Sequence, residues 1–162
     1  MLTIINETYV KRMISQNLRE YINNNEFSMW YIAYYSEVSE TTLRNYLKEK
    51  SIPSAIVLIK IAELFECSVN DLLGYNHREF IRRERIFDSY IDSPNVVAYF
   101  WDKVEQYMKE KRIFDLEALA LESFMSSYTL LFDKDNGVLP KLVNIIKLCD
   151  ALDCTPSDLL GY

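Results

Sequence analysis

The fold is decided by residues 28–48, which read SMWYIAYYSEVSETTLRNYLK. Ser28 stands directly before the run 29–35, and Ser39 stands directly before a second run that ends near Lys48. Serine is a preferred N-cap because its hydroxyl accepts a hydrogen bond from a free amide of the first helical turn. The three residues between the two runs leave room only for a tight turn. The stretch therefore predicts two short helices joined by a turn.

Three further helices are predicted around this pair. Before it, apolar residues recur at spacings of three and four over residues 10–22, as they do on one face of a helix. After it, Ser54 opens an apolar helix and Ser68 caps a last short one. Gly74 closes that last helix, because glycine readily adopts the left-handed backbone found just past a helix end. Residues 1–75 thus make a five-helix unit.

This unit is repeated in the chain. The sequence DLLGY at 71–75 recurs at 158–162, and the same offset of 87 residues aligns 27–75 with 114–162 without a gap. The alignment has 15 identities in 49 positions. Such agreement at a fixed offset indicates a tandem duplication.

The duplication predicts domains at 1–75 and 94–162 with a helical linker at 76–93. In the second domain Asp115, Ser126 and Thr155 stand at N-cap positions, and a proline follows the last of them. Apolar residues at helical spacing predict helices over 77–91 and 94–111. The predicted fold class is all-α, with two tandem five-helix domains.

The composition agrees with a helical chain. Of its 162 residues 49% are apolar, and there are 3 Gly and 4 Pro, whereas turn-rich β folds need many more breakers. The net charge of −6 does not by itself suggest nucleic-acid binding, because such domains are usually basic. The charge is uneven, however, with −2 in residues 1–75 and −4 in residues 100–162.

Residue types that serve catalysis or metal binding are sparse. His77 is the single histidine and has no nucleophile in a recognisable motif. The cysteines Cys67, Cys149 and Cys154 form no C-x-x-C pair and are expected to be buried, reduced thiols. No signal peptide or membrane span is recognisable. We expect a cytoplasmic protein that is not an enzyme and binds no metal or cofactor.

The helix pair and its surroundings resemble the phage-repressor, or xenobiotic-response-element (XRE), family of helix-turn-helix domains. In the first domain the resemblance is carried by Phe27-Ser28, Ile32-Ala33, Val38-Ser39, Thr42-Leu43, Tyr46, Ile52-Pro53-Ser54, Ile61-Ala62, Leu64 and residues 68–73. In the second domain it is carried by Leu119-Ala120, Ser126, Leu130, Leu139-Pro140 and residues 157–160. The resemblance implies two lambda-repressor-like domains.

The resemblance also implies that the second helix of the first pair reads DNA. In this family that helix enters the major groove, and the base-contacting positions match Glu40, Thr41, Arg44 and Asn45. Arg44 suits guanine and Asn45 suits adenine. Glu40 is either an acceptor for cytosine or a carboxylate that favours the helix dipole. The implied DNA-contacting set is completed by the capping serine and two lysines near the phosphates, which are Ser39, Lys48 and Lys50.

The sequence departs from the family at two positions of each domain. The usual glutamine after the first capping residue is Met29 in one domain and Leu116 in the other. The usual turn glycine is Glu37 in one and Phe124 in the other. A left-handed turn at these last positions would carry a strained side chain.

The second domain lacks polar readers on its counterpart helix. Leu131 and Phe132 stand where the first domain has Arg44 and Asn45, and Tyr128 precedes them on the same helix. Apolar side chains that face solvent have no use against phosphates and are better explained by burial against protein. We therefore expect a degenerate copy that serves dimerisation or packs on the linker.

The first helix of the first pair is crowded with aromatic residues, which are Trp30, Tyr31, Tyr34 and Tyr35. We expect one or two of the four in the core. The others would be exposed or covered by a partner, since tryptophan and tyrosine are favoured at interfaces. Trp30 and Tyr34 are the predicted protein-contact residues.

Two functions compete at this point. The first is a sequence-specific regulator that binds double-stranded DNA through the first domain, as a homodimer on a near-palindromic operator. The second is a protein-binding adaptor or inhibitor on a repurposed scaffold, of a phage, mobile-element or antitoxin-like kind. The acidity, the aromatic surface and the apolar second copy favour the second function, whereas the basic residues near the recognition helix favour the first.

Overall fold

The computed structural model describes residues 6–75 and 93–162, and every regular element within them is a helix, as predicted. The chain divides into two compact units. Unit one contains α1 (Glu7–Asn23), α2 (Met29–Tyr35), α3 (Glu40–Leu47), α4 (Ala55–Leu64) and α5 (Val69–Leu73). Unit two contains α6 (Ser93–Lys111), α7 (Leu116–Glu122), α8 (Ser127–Asp135), α9 (Leu142–Leu152) and α10 (Pro156–Leu160). The linker helix predicted over 77–91 lies outside the described residues.

None of the helices in these two ranges has a stretch long and apolar enough to cross a membrane. The three cysteines are free thiols. Cys149 and Cys154 are buried as expected, but Cys67 is only half-buried. Burial, together with the neighbouring Cys154 thiol, raises the pKa of Cys149, so this side chain behaves as a core residue.

The predicted helix starts are confirmed in unit one. Each of the four serine hydroxyls accepts a hydrogen bond from the backbone amide three residues ahead, at Ser28, Ser39, Ser54 and Ser68. In unit two Asp115 and Thr155 cap their helices in the same way. Ser126 occupies the N-cap position of α8 but makes no side-chain capping bond, so its predicted capping role is wrong.

The last helix of each unit shows the repeat most clearly. The α5 and α10 helices start 87 residues apart, and each begins with a capping box, formed by Ser68 with Asp71 and by Thr155 with Asp158. Each ends on a glycine with positive φ. At Gly74 a Cβ would also meet the end of the flexible Met13 side chain, which can move aside, so the main cost of a larger residue there is the left-handed backbone.

The core of unit one holds α3 against its neighbours. Leu43 of α3 and Ile32 of α2 are fully buried, together with Ile14 and Leu18 of α1 and Ile59 of α4. The α3 helix packs against both α1 and α2. Its orientation is therefore set by the hydrophobic core, and its opposite face is left to solvent.

Unit two builds an equivalent core around Phe100 of α6, Leu119 of α7 and Leu130 of α8. Trp101 lies beside Phe100, with ring centroids 5.1 Å apart in an edge-to-face arrangement. Its indole N–H donates to the carbonyl of Val138 at 3.2 Å, which holds the loop after α8 against α6. The core leaves one face of α7 and α8 on the surface.

Candidate nucleic-acid interface

The outward face of α3 carries the predicted base-reading residues. Leu43 and Tyr46 are buried and anchor the helix, and burial raises the pKa of Tyr46. Thr41 and Arg44 are exposed, and Asn45 is half-buried. The arrangement follows from helical geometry, because residues 41, 44 and 45 fall on one side of a helix whose other side holds residues 43 and 46. These three side chains are therefore placed together on a surface that solvent reaches.

Glu40 belongs to the same surface and engages Arg44. The carboxylate Oε2 lies 3.5 Å from Arg44 Nη2, one helical turn apart, and both side chains are about half exposed, at 42% and 56%. An exposed pair of this length contributes little to stability. Glu40 also lies in the first turn of α3, where its charge suits the helix dipole. Arg44 is thus oriented in the free protein by a contact that is easily exchanged.

Ser39 acts within its own helix. Its Oγ accepts a hydrogen bond from Thr42 N at 3.0 Å and lies 2.9 Å from Thr42 Oγ1. These contacts occupy the hydroxyl in starting α3. Ser39 therefore fixes the start of α3.

A basic cluster lies at the C-terminal end of α3. Lys48 is the C-cap and Lys50 follows it, both exposed. Arg19 of α1 joins them, since its guanidinium donates to the Leu47 carbonyl at 2.5 Å, and the Ser15 hydroxyl donates to the same oxygen at 2.7 Å. Cations are favoured at this end of a helix, where the carbonyls carry a partial negative charge. Two helices thus bring three cations to the C-terminal end of α3.

Arg19 is a residue that the sequence reasoning missed. It lies 28 residues before Leu47, and no spacing rule connects a polar position of α1 with the end of α3. Only the packing of α1 on α3 brings the two together.

The turn between α2 and α3 has the predicted left-handed residue. Glu37 has φ of 57°, which an L-residue other than glycine adopts at a cost. Its carboxylate Oε2 lies 2.7 Å from Lys60 Nζ of α4, whose side chain is only 14% exposed. The ion pair ties the turn to α4. In unit two Phe124 occupies the equivalent position with φ of 54°.

The burial of the aromatic residues of α2 differs from the prediction. None of Trp30, Tyr31, Tyr34 and Tyr35 is in the core, although one or two were expected there. The buried residues of α2 are Ile32 and Ala33, which are enough to fill the short contact with α3 and α4. Trp30 and Tyr34 are the most exposed of the four and stack on each other with ring centroids 5.4 Å apart.

The α8 helix of unit two presents a different surface. Tyr128 and Phe132 are exposed with ring centroids 6.2 Å apart, and Leu131 is half-buried. Burial raises the pKa of Asp133, although Lys141 opposes this shift. Lys134, the basic residue of this helix, pairs with Glu105 of α6. No cation of α8 therefore remains outside an ion pair.

Two more apolar residues lie on the surface just before α8. The sequence reasoning did not identify them as surface residues. Leu121 at the end of α7 is 78% exposed, and Phe124 in the turn is 82% exposed. Leu121 is apolar in an apolar helix, so pattern alone suggested the core. The sequence marked Phe124 only as the residue that stands in place of the family's turn glycine.

Comparisons with family models match both units. A model described as Helix-turn-helix matches residues 18–72. A model described as Cro/C1-type HTH DNA-binding domain matches residues 103–162. Neither a curated protein nor a solved structure matches the chain.

Proposed function

The chain belongs to the XRE-type helix-turn-helix family, with two tandem domains, and we propose that it is a sequence-specific DNA-binding regulator acting through α3 of unit one. One observation carries this proposal. Thr41, Arg44 and Asn45 lie on the exposed side of a helix whose other side is fixed in the core. The Cro/C1-type match supports DNA binding for the family in general.

The reading face has the chemistry for base edges in a major groove. A guanidinium can donate two hydrogen bonds to guanine, and a carboxamide can pair with adenine. Arg44 and Asn45 are adjacent and would read neighbouring bases. Thr41 would meet a thymine methyl or a phosphate. Arg44 can exchange its contact with Glu40 for a base, because that contact is long and solvated.

The basic cluster at the end of α3 would contact the phosphates of the DNA backbone. Lys48, Lys50 and Arg19 lie together at the C-terminal end of α3, and we expect the duplex backbone to run beside them. Phosphate contacts position a protein on DNA without reading its sequence. They also make binding salt-dependent, because condensed counterions are released. Since the chain is acidic overall, we expect modest affinity that falls steeply with salt.

Selection of duplexes from a random library, followed by binding measurements, tests this function. Arg44→Ala should weaken binding to the selected duplex by about 1–3 kcal/mol and relax one base position. Arg12→Ala is the matched control, because it removes the same charge from an exposed position of α1. If no duplex is enriched, or if both variants lose affinity equally, the proposal is wrong.

Unit two is proposed to contribute protein contacts rather than base contacts. Its α8 helix presents apolar side chains and leaves no free cation toward a phosphate. A regulator with one reading helix per chain gains specificity as a homodimer on a near-palindromic operator, because two half-sites are then read together.

A second function is favoured by one observation on unit one. Trp30 and Tyr34 form an exposed stacked pair on α2, which suits a protein interface better than a nucleic-acid backbone. On a repurposed scaffold this pair would make the chain a protein-binding adaptor or inhibitor. Trp30→Ala separates the two functions, since it would abolish partner binding in an adaptor and leave the base preference of a regulator unchanged.

A further inference from the structure

Two side chains of α1 hold the last turn of α3. The carbonyls of residues 44–46 accept hydrogen bonds from the backbone amides of residues 48–50. The Leu47 carbonyl instead accepts from the Ser15 hydroxyl at 2.7 Å and from Arg19 Nη2 at 2.5 Å. A carbonyl oxygen has two lone pairs and can accept both bonds. The carbonyls that the end of a helix leaves open are thus satisfied in α3, and the last of them is satisfied only through α1.

The two donors lie one helical turn apart on α1 but differ in their surroundings. Arg19 is exposed, and its guanidinium has further N–H groups besides the one that Leu47 accepts. Ser15 is 2% exposed, so DNA cannot contact it. Any effect of the Ser15 hydroxyl on DNA binding must therefore pass through α3.

The first helix of unit two makes contacts from the corresponding positions. Buried residues of α1 recur on α6 86 residues later, as Val10, Ile14 and Leu18 and as Val96, Phe100 and Val104. The same offset places Trp101 at the position of Ser15, and its indole N–H donates to a carbonyl in the loop after α8. It places Glu105 at the position of Arg19, and Glu105 pairs with Lys134 of α8. The two positions thus contact the end of the third helix in either unit, with different chemistry.

We propose that Ser15 and Arg19 are positioning residues, which fix the C-terminal end of α3 and thereby set its sequence preference for DNA. Hydrogen bonds weaken steeply with distance and angle. A shift of the last turn would therefore misplace Arg44 and Asn45 relative to the base edges. The specificity part of this inference rests on the proposed function of α3.

Loss of positioning differs from loss of stability and from loss of a phosphate contact. A variant that is less completely folded loses affinity for every duplex in the same proportion. Loss of a phosphate contact also acts on all sequences, and it reduces the salt slope by about one. Loss of positioning lowers the affinity for the selected duplex alone. The ratio of the affinities for a selected and a scrambled duplex therefore isolates positioning.

Ser15→Ala in the full chain should lower that ratio about threefold to tenfold, the factor by which one hydrogen bond changes an equilibrium constant. The affinity for the scrambled duplex and the salt slope should stay unchanged. Arg19→Met should also lower the ratio, since it removes the second donor and keeps an unbranched side chain. Ser36→Ala is the matched control and should leave the ratio unchanged. Ser36 is also buried in unit one, but its hydroxyl has no hydrogen-bond partner within residues 6–75 and 93–162.

Amide hydrogen exchange without DNA gives a second readout. Ser15→Ala should speed exchange of the amides of residues 48–50 about threefold to tenfold, because these amides close the last turn of α3. The amides of Phe65 and Cys67 close the end of α4 and should keep their rates. General destabilisation would speed exchange in both groups.

Three results would overturn the proposal. The first is unchanged exchange at residues 48–50 in Ser15→Ala, and the second is an equal loss of affinity for both duplexes in that variant. The third is a fall in the ratio for Ser36→Ala that matches the fall for Ser15→Ala. If the wild-type chain prefers no duplex, the proposed function fails together with the specificity role. The exchange measurement then still decides whether Ser15 holds α3.

Discussion

Glu37 and Phe124 occupy the same left-handed position in the turns of the two units, with φ of 57° and 54°. A residue with a Cβ pays roughly 1–2 kcal/mol for this conformation. Glu37 recovers part of that cost through its ion pair with Lys60. Phe124 has an almost fully exposed side chain instead. A large apolar residue at a strained, solvent-facing position is what a contact surface would require.

Replacing the two turn residues with glycine should have unequal effects. Phe124→Gly should raise the free energy of unfolding by about 0.5–1 kcal/mol, because relief of the left-handed strain exceeds the added entropy of the unfolded chain. Glu37→Gly should raise the free energy of unfolding by a smaller amount, since this variant also loses the contact with Lys60. Urea denaturation measures the free energy of unfolding of both variants. The protein concentration should be too low for dimers to form. An equal increase in the free energy of unfolding in the two variants, or a decrease in Phe124→Gly, would contradict the conclusion that Phe124 is strained.

At the scale of helices, α3 and its counterpart α8 differ in how they begin. The Ser39 hydroxyl caps α3, whereas Ser126 stands at the N-cap of α8 with no capping bond. Sequence alone could not separate them, because both are serines at equivalent positions of the repeat. The difference lies in side-chain geometry, which depends on the backbone at the turn.

This difference predicts the outcome of two matched substitutions. Ser39→Ala should lower the free energy of unfolding by about 1 kcal/mol, since an amide of α3 loses its acceptor. Ser126→Ala should change it by no more than a few tenths of a kcal/mol. Chemical denaturation followed by circular dichroism gives both values. A comparable loss in the two variants would show that Ser126 caps α8 in solution.

Helix starts and ends were the most predictable feature of the fold. Serine, threonine and aspartate before a run, and glycine after it, are local signals that the capping chemistry requires. Exposure was less predictable. The aromatic residues of α2 looked like core residues by type, but Ile32 and Ala33 fill the available contact. Arg19 reached the reading helix through tertiary packing, which no local pattern encodes.

At the scale of the whole molecule, we propose that the two copies of the duplication have separate tasks. Unit one keeps a polar reading face with three cations at its edge. Unit two keeps the same helices and replaces that face with aromatic and aliphatic side chains. The net charge of −6 is thus a sum over two units whose exposed faces differ in composition. Because the reading face lies in an acidic chain, DNA binding is expected to weaken steeply as salt rises.

An exchange of residues between the outward faces of α3 and α8 tests the central claim most directly. The readout is the ratio of affinities for a selected duplex and a scrambled duplex of equal length at one salt concentration. Arg44→Leu/Asn45→Phe gives unit one the residues of unit two and should bring that ratio close to one. Leu131→Arg/Phe132→Asn makes the reverse change and should preserve the ratio. A first variant that keeps its sequence preference, or a second that alone loses it, would contradict the account.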